Sequence, residues 1–119
     1  DFIGDANIVK AQILKIDGIN ANVDIGGIRE KLTHRGLESG EVNVAISPQS
    51  ICLSQSGNGN SIPGTILKAI YLGGHIEYTV DCILGELFVI DNQVEIKHNL
   101  DDVVFITLRT RGVSMIPES

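Results

Sequence analysis

The sequence predicts an all-β fold built from two similar, partly open barrels. Three observations carry that expectation. Polar and apolar side chains alternate with period two along most of the chain, the pattern of half-buried strands. Turn residues such as Asp17-Gly18 and Gly73-Gly74 fall between the alternating runs. Short motifs of the first half recur in the second.

The elements follow in order. Ala11 to Ile16 and Ile19 to Ile25 read as strands around Asp17-Gly18, which accepts the positive φ of a tight hairpin turn. Ile28 to Leu37 is the one helix-like candidate, but Thr33, His34 and Gly36 interrupt it, and at most one turn is expected there. Val42, Val44 and Ile46 alternate with Glu41, Asn43 and Ala45 as the next strand. The stretch from Ser54 to Ser61, rich in Gly, Ser and Asn, reads as a flexible connection. It separates halves at about 1–56 and 61–119 of a single domain, since 119 residues allow little more.

Thr65 to Tyr71 and His75 to Cys82 then form a hairpin around Gly73-Gly74. Leu87 to Ile90 and Val103 to Ile106 are apolar on both faces, as in strands covered on both sides. Val94 and Ile96, set against Glu95 and Lys97, predict one more strand. Three echoes suggest duplication: Ile13-Leu14-Lys15 with Ile66-Leu67-Lys68, Val23-Asp24 with Val80-Asp81, and Glu41-Val42 with Asp102-Val103. Such short matches also arise by chance in β proteins.

Composition narrows the function. A net charge of −6 argues against nucleic acid, whose binding rests on Lys and Arg neutralising phosphates. Five aromatic rings and no Trp leave few stacking anchors. The opening has no basic and apolar leader pattern, and no apolar run approaches the roughly 20 residues of a membrane span. The only methionine is Met115, so the chain is expected to be a piece of a larger protein. Cys52 and Cys82 are expected to be reduced structural thiols.

No motif carries chemistry. There is no phosphate-binding GxxxxGK[ST] loop and no GxSxG elbow. Gly57-Asn58-Gly59 lacks the third glycine and the helix of a dinucleotide fingerprint. His34, His75 and His98 are scattered, and His75 with Glu77 forms a surface pair rather than half of a metal site. Adjacent Asp101 and Asp102 lack the differing environments that an acid and base pair needs. No catalytic, cofactor-binding or metal-binding residue is therefore assigned.

Three motifs carry a family resemblance. Phe2-Ile3-Gly4-Asp5-Ala6-Asn7 resembles an FIGxxN signature. Ala45-Ile46-Ser47-Pro48-Gln49-Ser50-Ile51 resembles AIRPExI, and Tyr71 to Val80 resembles YLGxxxEYxV through Tyr71, Gly73, Glu77 and Tyr78. In this order they resemble the C-terminal TOBE domain, an OB-fold-like regulatory module on the ATP-binding subunits of ABC importers. Ser47 and Gln49 replace the usual Arg and Glu, Leu100-Asp101-Asp102 replaces a Gly-Asp, and the tail from Arg109 to Ser119 has no signature.

The resemblance implies a parent ATPase with ATP and Mg bound upstream of Asp1, and no ATPase site or cofactor in this fragment. It implies as partners the parent's own ATPase domain, a second copy in a homodimer and transmembrane permease subunits, at the cytoplasmic face of the membrane. Phe2, Ile3, Gly4 and Asn7 are candidates for the interdomain junction, or else they simply begin the first strand. Pro48, Tyr71, Gly73, Glu77 and Tyr78 are expected to be structural. The short opening motif resembles importers of iron(III), polyamines, sulfate or similar solutes. The alternative is a TOBE module that binds molybdate-like oxyanions or another small ligand.

Overall fold

Alternation becomes strand pairing in the computed structural model, which describes residues 2–3, 6–34, 36 and 40–116. The first sheet is assembled from β1 (Phe2–Ile3), β2 (Ala6–Asp17), β3 (Asn20–Ile25), β4 (Ile28–Thr33), β5 (Gly40–Ile46) and β11 (Val113–Ile116). Its order is β11-β5-β2-β3-β4, with β1 pairing β2. The second sheet contains β6 (Ile51–Ser54), β7 (Ile62–Tyr71), β8 (Ile76–Cys82), β9 (Gly85–Asp91) and β10 (Val103–Leu108), in the order β6-β10-β7-β8-β9. Every pairing is antiparallel.

The two orders superpose strand for strand, with β2, β3, β4, β5 and β11 matching β7, β8, β9, β10 and β6. The matching strands at one end are exchanged. β6 follows β5 in sequence but pairs with β10, while β11 follows β10 and pairs with β5. In each sheet the last hairpin strand packs against the exchanged strand, β4 against β11 and β9 against β6, without a hydrogen-bonded ladder closing the barrel. One hydrophobic cluster draws on both sheets, from Val9, Val23, Ile25 and Val44 to Ile66, Val80, Leu87 and Ile106. The fold is all-β with two five-stranded half-barrels.

The echoed tripeptides have a geometric cause. Ile13 pairs with Val23 and Ile66 with Val80, and in both hairpins the register shifts across the following leucine. Leu14 and Leu67 are the bulged residues, 47% and 45% exposed, and each bulge bends a long strand where it leaves its barrel. The third echo is displaced by one residue. Ala11 pairs with Val42 while Gly64, its counterpart, pairs with Val104. Val104 is therefore the buried equivalent of Val42, and Val103 is 61% exposed.

Two expectations need correction. Residues 28–33 form a strand with no helical turn, and Ile28 and Leu32 are buried. Glu30 obscured the alternation because it occupies the position between them on the same face and is half-buried. No strand forms at Val94 and Ile96. The connection from β9 at the sheet edge to β10 must pass the intervening strands, so Val94 packs on the core while Ile96 faces solvent. Within the tail, which carries no family signature, β11 supplies Val113 and Met115 to the core.

Burial raises the pKa of the Glu30 carboxyl, since removing water disfavours its charged form. The folded state then binds this proton more tightly than the unfolded chain. Its stability cost is absent below the ordinary carboxylate pKa and grows as pH rises through it. Glu30→Gln is expected to raise the melting temperature at neutral pH and to change it little in acid, as a pH series of thermal melts would test.

Candidate functional site

Two asparagines occupy matching places, each six positions ahead of an Ile-Leu-Lys bulge, at Asn7 and Asn60. Asn7 lies in β2 with no exposed surface. Its Oδ1 accepts the N–H of Phe88 at 2.8 Å, and its Nδ2 donates to the carbonyl oxygens of Phe88 at 2.9 Å and Ile46 at 3.2 Å. A residue of the first sheet thus grips the backbone of β9 in the second. Asn60 does the converse at the surface. Its Oδ1 accepts the N–H of Arg29 in β4 at 2.8 Å, and its Nδ2 donates to the Arg29 carbonyl at 3.0 Å.

Sequence reasoning left Asn60 inside the flexible connection. The matching offset from the two tripeptides was the available signal, and the exchange of the same amide-to-backbone pairing between sheets gives it meaning. The flanks of that connection are ordered by short contacts, including the Ser54 hydroxyl donating to the Ser56 carbonyl at 3.0 Å.

The exchanged strands are tied where they cross. A 3-10 turn at Pro48–Ser50 leads from β5 to β6, with Pro48 buried at its start. The Ser47 N–H donates to the Gly112 carbonyl at 2.9 Å, the Arg109 N–H to the Ser50 carbonyl at 2.8 Å, and the Ser50 hydroxyl to the Arg111 carbonyl at 2.5 Å. Gly112 has φ +88°, and a Cβ there would collide with Ser50 Oγ, so glycine is required by conformation and by space. Beside the crossing lies a crevice of about 110 Å³ lined by Gln49, Cys52, Asp91, Gln93 and Arg109 among others. It falls well short of the roughly 300 Å³ of an ordinary small-molecule site.

The remaining motif residues surround the β7–β8 hairpin. Tyr71 is 54% exposed, with Lys97 Nζ 4.4 Å above its ring centre. Gly73 takes φ +84° in the tip, which the Leu72 N–H closes by donating to the His75 carbonyl at 2.9 Å. His75 Nε2 and Glu77 Oε2 are 3.5 Å apart on the strand face. Tyr78 is buried, its hydroxyl accepts the His98 N–H at 3.1 Å, and its ring packs at 59° to that of His98. Burial pushes the Tyr78 hydroxyl pKa up, so it stays protonated. Ile70 and Leu72 join Tyr71 as exposed apolar residues at this tip, as Ile16 and Ile19 do at the β2–β3 tip.

The structure does not gather these residues into one reactive site. Among the described residues no group of three or more His, Cys, Asp or Glu could hold a metal ion. Both cysteines are free, and burial raises the Cys82 thiol pKa, which suppresses its thiolate. At the entry, Phe2 pairs with Asn7 and Ile3 with Ala6. Gly4 lies outside the described residues.

The TOBE domain family matches residues 44–115. The chain is 34% identical over 116 residues to the Fe(3+) ions import ATP-binding protein FbpC of Agrobacterium fabrum, covering 98% of this chain and 33% of that protein. It is 31% identical over 93 residues to the spermidine/putrescine import ATP-binding protein PotA 1 of Pseudomonas aeruginosa, covering 76% of this chain and 25% of that protein. The chain thus spans no more than about a third of the length of these curated relatives.

Among solved structures, the cytoplasmic molybdate-binding protein ModG with molybdate bound superposes with a TM-score of 0.72 at 20% identity, covering 92% of this chain and 94% of that one. That likeness establishes the two-barrel fold. The family match takes in the second half-barrel and both exchanged strands, more than half of the chain, and the chain belongs to the TOBE domain family.

Proposed function

We propose that this TOBE domain is the C-terminal regulatory and dimerisation module of an ABC importer ATP-binding protein. The observation that carries the reading is the 34% identity to an Fe(3+) ions import ATP-binding protein along 98% of the chain. Iron(III) is the favoured solute, and polyamine follows from the weaker PotA 1 match. The ATPase site, with its ATP and Mg, belongs to the rest of the parent protein. The partners are that ATPase domain, a second copy of the parent and the membrane-embedded permease, at the cytoplasmic face.

The physical role is that of a stiff scaffold. Exchanged strands and amide clamps resist shear between the half-barrels, so residues 1–119 transmit contacts as one body while the catalytic domains open and close. The halves at about 1–56 and 61–119 are joined by the connection at 54–61. Phe2, Ile3 and Gly4 form the junction, and Asn7 anchors it by holding the first long strand to β9.

The test starts from the reading frame upstream of Asp1. It should encode a Walker A, a signature motif and a Walker B, and the full product should hydrolyse ATP with Mg while residues 1–119 do not. A frame without these motifs sinks the proposal. Calorimetric titration of residues 1–119 with molybdate, tungstate and sulfate tests the oxyanion alternative, which tight stoichiometric binding would support.

A further inference from the structure

Of the eight asparagines, only Asn58 precedes a glycine. It is exposed between β6 and β7, and its side chain is folded back along the chain, with Oδ1 accepting the Asn60 N–H at 3.0 Å. This Asx turn brings Cγ towards the following peptide group, and a hydrogen bond to Oδ1 draws electron density from Cγ. Gly59, with φ +90°, has no heavy atom from beyond its two chain neighbours within 4 Å of where a Cβ would stand, so that side of the residue is open space.

We infer that Asn58-Gly59 is a site of spontaneous covalent modification, in which the Asn58 side chain cyclises onto the Gly59 nitrogen and opens to aspartate and isoaspartate. The Gly59 nitrogen gives up its proton to base and forms a bond to Asn58 Cγ. The Cγ–Nδ2 bond breaks, and ammonia leaves carrying the returned proton. Water then opens the five-membered imide. Opening at Cγ gives aspartate, and opening at the main-chain carbonyl gives isoaspartate, with the chain rerouted through Cγ. The net change is an amide plus water going to a carboxylate plus ammonium, with no oxidant or cofactor.

The other asparagines are protected by their settings. Asn7 is buried, and Asn20, Asn22 and Asn43 sit in strand ladders before Ala or Val. Asn60 has both amide groups engaged with Arg29, while Asn92 and Asn99 precede Gln and Leu.

The site bears on the surface clamp. Isoaspartate adds a methylene to the main chain two residues before Asn60, and either product adds a negative charge to a chain already at −6. In isoaspartate the Oδ1 turn that positions the Asn60 N–H is lost, the Asn60–Arg29 pairing loosens, and the connection frees itself from β4.

The experiment ages the purified chain in warm, mildly alkaline buffer and follows each asparagine by peptide mass mapping. Labelling by a protein isoaspartate methyltransferase provides an independent readout. Conversion at Asn58 is expected on the order of ten times faster than at any other asparagine, as for a thermolabile exposed Asn. Asn58→Gln, which would have to close a larger ring, should remove the signal. Protease nicking between residues 55 and 61 should rise with age in the unmodified sequence and stay flat in Asn58→Gln. The inference is overturned if another asparagine converts first, or if Asn58 stays intact while an unstructured peptide of residues 54–64 converts. Equal nicking of aged wild type and Asn58→Gln would overturn the link to the clamp.

Discussion

A chain ending at Gly112 is expected to lose cooperative folding. The deletion removes β11, and with it Val113 and Met115, which are 7% and 1% exposed. It also strips β5 of its partner from Asn43 to Ile46. Burying each of these side chains contributes about 2 kcal/mol. Each ladder hydrogen bond adds about 1 kcal/mol net. The combined loss of about 5 kcal/mol or more matches the lower end of a small domain's whole stability.

Circular dichroism should therefore show a broad or absent thermal transition, and the truncated chain should aggregate through the uncovered edge of β5. Met115→Ala is the graded form of this experiment, with an expected loss of about 3 kcal/mol from the vacated core space. A truncated protein that melts at the same temperature as the full chain would mean that β11 is dispensable.

Asn7→Ala is expected to cost about 3 kcal/mol. Three hydrogen bonds disappear from a position with no access to water, among them both contacts to the β9 backbone. For a chain of this size the melting temperature should fall by about 10 °C. Asn60→Ala removes the same kind of pairing at the surface, where water replaces it, and should cost about 1 kcal/mol.

Asn7→Asp separates geometry from charge. Its carboxylate would face the carbonyl oxygens of Ile46 and Phe88, and burial would raise its pKa above the unfolded value. Its stability should therefore be best below the ordinary carboxylate pKa and fall as pH rises through it. If Asn7→Ala and Asn60→Ala prove equally mild in urea titrations, the sheets are held by apolar packing alone.

These experiments probe features of unequal visibility in the sequence. The ILK repeat was legible, and its cause is a bulge at Leu14 and again at Leu67. The paired asparagines could have been read from the same repeat, yet Asn60 was hidden by its polar, glycine-rich neighbours. Glu30 masked β4 because a half-buried acid broke the alternation. Val94 and Ile96 alternate like a strand, but no neighbouring strand is placed to accept their backbone. Motif order was sufficient for the family, whereas nothing in the motifs marked the clamps that hold it together.

By itself the sequence determined the all-β class, the long hairpins and the family, because period-two alternation, glycine turns and motif order are local properties that survive without knowledge of partners. Only the tertiary structure decided which sheet each short strand joins. β6 and β11 have four residues each and pair across the molecule rather than with the strands that precede them in sequence. Such a short strand is stable only when a preformed edge and a core cavity receive it, and that edge is supplied by residues about sixty positions away.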